Sequence, residues 1–419
     1  MNPTTLQIVA AVLFGLALIH TFSTKFFEHL AHTRPAHAGV WHLLAEVEIV
    51  FGVWAMILMV VMAFMVGKTD AVAYLDERNF TEPLFVFAIM VVAGSRPILQ
   101  AASAAVQGFV KAVPLPRTQV FFFTALGIVP LLGSFITEPA AMTLAALLMK
   151  DTIFAKASTR LKYAALGVLF VNISIGGTLT PYAAPPVLMV AAKWGFDLTF
   201  MMTHIGWKAA LAVGINAIAL TVIFAKELKA MPYDGKSPYT GVPLWMIAVH
   251  VMFLVGIVVF AHHPAAFVAI FLLFMGIATA YPQFQDRLIL REGLLVGFFL
   301  GGLVVLGGMQ QWWLQPALMA MDETQVYFGA TALTAITDNA ALTYLGSLVD
   351  GLSEEFKYAL VTGAVTGGGL TIIANAPNPA GASILKSTFD EGAINPLGLL
   401  AGALAPTLVA IGCFRAFPY

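Results

Sequence analysis

The sequence predicts an all-α integral membrane protein of about ten crossings plus two re-entrant hairpins, arranged as inverted-topology repeats with broken helices. Three observations carry this fold class. Of the 419 residues, 60% are hydrophobic and only 10% charged, whereas a soluble domain carries roughly 25% charged residues, so there is too little polar surface to wet a globule of this size. Apolar windows of about 17 residues or more, long enough to cross about 30 Å of hydrocarbon as helix, recur along the whole chain. Two octamers, ITEPAAMT at 136–143 and ITDNAALT at 336–343, match without a gap at an offset of 200.

The apolar windows fall at 3–20, 41–66, 84–110, 204–225, 242–260, 265–281, 292–309 and 396–414. Two more runs, 161–192 and 356–386, are long enough to cross but are interrupted by Gly and Pro. Segments 118–150 and 325–349 each read as two apolar pieces of about 10–15 residues meeting at a polar tip, each piece too short to span alone. These divide the chain into scaffold helices at 1–83, a first repeat at 84–225, a linker with further scaffold helices at 226–289, and a second repeat at 290–419.

Charge supports the layout. With residues 20–40 facing the cytoplasm, 14 of the 21 Lys and Arg lie on inner segments. Lys68, Arg78, Lys193, Lys208, Lys357 and Arg415 lie outside, and Arg96 is left within a span. This obeys the positive-inside rule only if both hairpins return to the side they came from. Both termini are then expected outside the cytoplasm, in a cell (inner) membrane, and the first span reads as a retained helix because it has no basic n-region. The formal net charge of −1 and the lack of a basic stripe exclude a nucleic-acid binder. A single cysteine, Cys413, excludes a disulfide framework, a Cys-based zinc site and an iron–sulfur cluster. Neither HExxH nor a GxSxG elbow is present, so the sequence does not read as an enzyme, and no cofactor is expected.

The repeat extends past the octamers. GGTLTPYAAPPVLMVAAKWGFD, ending at Asp197, corresponds to GGLTIIANAPNPAGASILKSTFD, ending at Asp390. Gly176, Gly177, Pro181, Pro185 and Pro186 break the first helix, and Gly367, Gly368, Gly369, Pro377 and Pro379 break the second. Unwound backbone at membrane depth is tolerated only where it is buried in protein or lines a polar cavity. Paired breaks in repeats of opposite orientation place a transport site near the midplane.

Glu138 and Asp338, one at each tip, are the leading ion- and proton-binding residues. A carboxylate taken out of water is neutralised either by a proton or by a cation, and that competition is the basis of antiport. A helix-capping role for each acid is the alternative. Hard alkali cations need oxygen ligands, available from Thr137, Thr337, Asn339, Asn375 and Asn378, with Thr180 and Asn172 as weaker candidates. For each of these, interhelical hydrogen bonding is the competing role. A guanidinium mid-span requires an acid partner, so Arg96 is expected to pair with Glu138 or Asp338, or else to snorkel to an interface. His20, His29, His32, His37 and His42 crowd the N-terminal segment, where a solvated loop is favoured over a metal or pH-sensing site.

The order of tip, GGTLTPYAAPP at 176–186, second tip and second break resembles the ion transporter superfamily, which includes NhaD-type sodium/proton antiporters, arsenite permeases and sodium-coupled dicarboxylate carriers. Two positions depart from the family element: Ala184 or its neighbour stands where Gly is usual, and Val187 stands where Asn is usual. Asp338-Asn339 at the second tip is similar to the acidic tips of the antiporter and arsenite branches, whereas anion carriers have neutral tips; here Glu138 in Thr137-Glu138-Pro139 makes the first tip acidic as well. The resemblance implies a secondary transporter working by alternating access, with Na+ or Li+ and H+ as transported ions. It also implies Na+ at Glu138 and Asp338, an elevator-like motion and a homodimer in the lipid bilayer. Metalloid oxyanion efflux or sodium-coupled anion transport is the alternative it leaves open. Loss of exchange in both Asp338→Asn and Glu138→Gln is the expectation from sequence.

Overall fold

The computed structural model describes residues 3–233 and 235–417, and among them it contains helices and no strand. The first section comprises α1 (Thr5–Phe22), α2 (Thr24–Thr33), α3 (Ala38–Ala45), α4 (Val50–Met65) and α5 (Lys68–Asp76), then α6 (Thr81–Ala93) and α7 (Arg96–Ala112). The first hairpin is α8 (Arg117–Ile136) and α9 (Glu138–Met149). It is followed by the broken helix α10 (Thr159–Gly176) and α11 (Pro185–Trp194), and by α12 (Leu198–Ile223). Next come α13 (Leu244–Val259), α14 (Pro264–Ala280), α15 (Leu290–Gly307) and α16 (Gln311–Met319). The second hairpin is α17 (Glu323–Thr334) and α18 (Asn339–Ser347); the second broken helix is α19 (Glu354–Gly367) and α20 (Asn378–Leu385), before α21 (Pro396–Ala416).

Seven helices are long and apolar enough to cross a membrane, and the bent pair α6–α7 brings the number to eight. The apolar helices α13 and α14 are shorter, at 16 and 17 residues. Exposed side chains such as Phe64, Leu244 and Leu397 are apolar, as lipid-facing residues are. The chain is a multi-pass membrane protein.

Two expectations need correction. The window 84–110 is two helices meeting at 64°, not one continuous helix. Ser95 is extended, and Pro97 has no N–H with which to continue α6, so the chain restarts at Arg96. The first arm of the first hairpin is also longer than expected, a 20-residue helix from Arg117 to Ile136 that passes through a π turn at Thr124–Ile128. Pro130 cannot donate to the Leu126 carbonyl, and the Asn172 amide takes that carbonyl instead at 2.7 Å.

The two repeats interlock. Within each, the hairpin arms lie side by side and the broken helix packs against the first arm. Across them, α9 lies against α20 and α11 against α18, so each returning arm is covered by the second half of the other repeat's broken helix. Helices α10 and α21 cross closely at Gly167 and Gly402, where a Cβ on either would meet the other helix's backbone. Other spans outside the hairpins and broken helices, among them α6 and α15 at the start of each repeat, form a separate layer: α15 packs on α4 and α6, and α13 and α14 also pack on α6. That layer touches the repeats through α6, which meets α9 and α11, and through α15, which meets α18.

Candidate functional site

The site is built where the two breaks meet the two tips. After Gly176 the backbone unwinds, and Ser134 on the first arm holds it: its hydroxyl donates to the Gly176 carbonyl at 2.7 Å and accepts from the Leu179 N–H at 2.9 Å. The Thr180 hydroxyl donates to the Ser134 carbonyl at 2.6 Å. The second break is held similarly. Thr371 donates to the Ala335 carbonyl at 2.7 Å, and the Asn378 amide donates to the carbonyls of Gly368 and Thr371 at 2.7 and 2.9 Å. The Asn339 N–H donates to the Ala374 carbonyl at 3.3 Å, tying the second tip to the second break.

Glu138 is the first residue of α9 and is fully buried. Its Oε2 accepts from the Asn375 amide at 2.9 Å, while Oε1 has no hydrogen-bond partner. Gly177 forms the wall beside it, since a Cβ there would strike Oε1 and Cγ of Glu138. Thr137, just before it, has φ 71° and ψ 151°. For a β-branched residue this backbone costs about 1–3 kcal/mol and persists only where its surroundings impose it.

Asp338 is placed differently. It is the N-cap of α18, partly buried, and its Oδ1 accepts from the N–H groups of Ala340 and Ala341 at 2.8 and 3.2 Å. The capping alternative therefore describes Asp338 and not Glu138.

Among the described residues, buried side-chain polar atoms without a partner concentrate here. Thirteen such atoms occur, and seven are Thr137 Oγ1, Glu138 Oε1, Thr334 Oγ1, Asn339 Oδ1 and Nδ2, Asn375 Oδ1 and Asn378 Oδ1. Six of those seven are oxygens, the donor type a hard cation takes. A buried polar atom left unpaired costs about 1–3 kcal/mol, so a polar ligand would gain most at these atoms. A narrow cleft beside the first tip is lined by Thr137, Pro139, Tyr182, Pro185 and Ala376, with Ile89 and Val296 of the neighbouring layer. Tyr182 also lines a wider vestibule with Leu188, Asp197 and His262.

The family described as "Putative Na+/H+ antiporter" matches residues 5–417. The chain belongs to this family. It is thus a cation/proton antiporter by family, a transport class and not an enzyme class. No curated protein matches it.

In this antiporter several residues expected at the site serve elsewhere. Arg96 does not pair with Glu138 or Asp338. It starts α7 at the bend, donates to the Thr240 carbonyl at 2.5 Å and faces Asp286 at 3.6 Å in a partly exposed pair. The Thr337 hydroxyl donates to the Leu333 carbonyl in the last turn of α17 at 2.8 Å and is not among the unpaired atoms. Asn172 is fully used, since its carbonyl oxygen also accepts from Asn216 at 2.9 Å. In the N-terminal segment, His20 is pinned between Trp54 and the Leu44 carbonyl, and the rings of His32 and His42 pack at 5.9 Å. No group of three metal-ligating side chains occurs among the described residues. Thr334 was not anticipated, although it lies only three residues before Thr337 in a helix that starts outside the octamer. Lys208, counted among the outer charges, is buried and donates to the Tyr358 hydroxyl at 2.9 Å.

Proposed function

We propose that the chain exchanges Na+ or Li+ for H+ by alternating access, with the cation held at Glu138 by oxygens of Thr137, Asn339, Asn375 and Asn378. The observation that carries this reading is the set of unpaired buried oxygens on the two tips and the second break, one of them on the fully buried Glu138 carboxylate that Asn375 joins to that break. A charged carboxylate is strongly disfavoured there unless a counter-ion or proton accompanies it. Cation and proton therefore compete for one place, and each releases the other. The half-helix starts of α9 and α18 and the unwound backbone of the breaks provide the remaining polar groups.

The interlocked repeats form the moving unit in this proposal, and the layer of α4, α6, α13, α14 and α15 forms the static one. The acidic tips support placement in the NhaD-like branch of the superfamily. Resemblance to that superfamily supports a homodimer with an elevator-like motion in the cell (inner) membrane, and the uneven Lys and Arg count of the loops supports both termini outside. The anion reading drew on a deep Arg96, and the pair with Asp286 removes that support. Reconstituted vesicles test the proposal: adding Na+ or Li+ should dissipate an imposed pH gradient, and dissipation by neither ion would refute it.

A further inference from the structure

The two repeats correspond in a register that the octamers conceal. Thr180 donates to the Ser134 carbonyl, and Thr371 donates to the Ala335 carbonyl. A Cβ on Gly176 would strike the Pro130 carbonyl, and one on Gly367 would strike the Thr331 carbonyl. A Cβ on Gly177 would strike the Glu138 side chain, and one on Gly368 would meet the Asn339 amide. Each of these contacts joins a break to a first arm or tip. The break residues pair at an offset of 191, matching GGTLT at 176–180 with GGGLT at 367–371. The arm residues 130 and 331, 134 and 335, and 138 and 339 all pair at 201, which corrects the offset of 200.

In this register the counterpart of Glu138 is Asn339, and the counterpart of Asp338 is Thr137. Helix starts agree: Glu138 and Asn339 are each the first residue of a returning arm and are fully buried, while Thr137 and Asp338 are the residues just before. Carrying the offset of 191 across the breaks sets Asn375 opposite Ala184 and Asn378 opposite Val187. Glu138 thus faces a break that carries two amides. Asn339, whose own amide atoms are both unpaired, has as the equivalent break one that carries none.

We infer that the chain holds one asymmetric cation site, in which Glu138 is the only ligating carboxylate and Asp338 is a positioning residue that starts α18 and sets Asn339 in place. This rests on the cation/proton exchange proposed above. The first repeat contributes the charge, and the second contributes the neutral amides. Asp338 already spends Oδ1 on two backbone N–H groups, the work of a cap, which Asn and Ser do about as well as Asp.

The test compares caps with charges in the purified, reconstituted full chain, reading 22Na+ binding, exchange rate and thermal unfolding. Asp338→Ala should lower the unfolding temperature and the exchange rate together. Asp338→Asn and Asp338→Ser should restore both, with half-saturating Na+ within about threefold of wild type, as expected when the cap is kept. Glu138→Gln should fold with a wild-type unfolding temperature in Na+-free buffer and lose Na+ affinity by roughly a hundredfold, the upper range for a charged partner. If Asp338→Asn folds and yet loses Na+ binding as fully as Glu138→Gln, the inference is overturned. Absence of exchange in wild type would instead defeat the proposed function, which the wild-type arm reads separately.

Discussion

Asn375 donates from its amide to Glu138 Oε2 at 2.9 Å, joining the break of one repeat to the tip of the other across 237 positions of sequence. Both residues are buried, so no water-exposed alternative competes with the contact. Removing the donor leaves a second carboxylate oxygen without a partner. Asn375→Ala should therefore raise the half-saturating Na+ concentration roughly ten- to hundredfold, from a penalty of about 1–3 kcal/mol. Concentration dependence of exchange in vesicles measures it.

Gly177 tests the wall of the site. Gly177→Ala would push a methyl into Oε1 and Cγ of Glu138, and exchange should fall at least about tenfold while the protein still inserts. Gly412→Ala is the matched control, because a Cβ there meets nothing within 4 Å; its rate should equal that of wild type.

Thr137 separates strain from ligation. Thr137→Gly should raise the unfolding temperature, since Gly relieves a backbone costing about 1–3 kcal/mol and gives back only about 0.5–1 kcal/mol in entropy. The same change deletes one oxygen and should weaken Na+ binding. Thr137→Ser should keep the affinity, and paired melting and 22Na+ binding curves distinguish the two effects.

Arg96 offers a negative prediction. Its partner Asp286 is more than half exposed, with a side-chain exposure of 57%, and such pairs contribute about 0–1 kcal/mol. Arg96→Gln should leave the exchange rate within about twofold of wild type. A loss as deep as that of Glu138→Gln would place Arg96 in the transport cycle.

Cation binding should also stabilise the fold. At a Na+ concentration of about 100 times Kd the expected gain is about 2.7 kcal/mol, seen as a higher unfolding temperature in Na+ than in choline. Glu138→Gln should abolish that difference. An equal Na+ effect in the variant would remove Glu138 from the site.

Most of the membrane layout could be read from the sequence, because hydropathy and the spacing of Gly and Pro report directly on crossing and breaking. Glu138, Thr137, Asn375 and Asn378 stand out in the sequence for the same reason, as polar residues confined to tips and breaks. What could not be read were properties that depend on where a helix begins. Asp caps helices well, so α18 starts after Asp338; Pro139 fits the first turn of α9, so that helix starts at Glu138 itself. Identity counting aligned acid with acid and missed the one-residue shift. Arg96 was misplaced because an apolar window does not register a 64° bend at Ser95. Thr334 went unnoticed because burial, not residue type, distinguishes it from Thr337.

The crossed packing of the repeats also bears on biosynthesis. Helix α9 is covered by α20, so the arm that carries Glu138 is made long before its cover and before Asn375. At synthesis rates of about 5–20 residues per second, the delay is on the order of ten to fifty seconds. Through that interval the nascent chain holds an acidic hairpin that lacks both the α20 cover and the Asn375 amide. The cation site is then completed at a late stage of synthesis, only once the second break has been laid across the first tip.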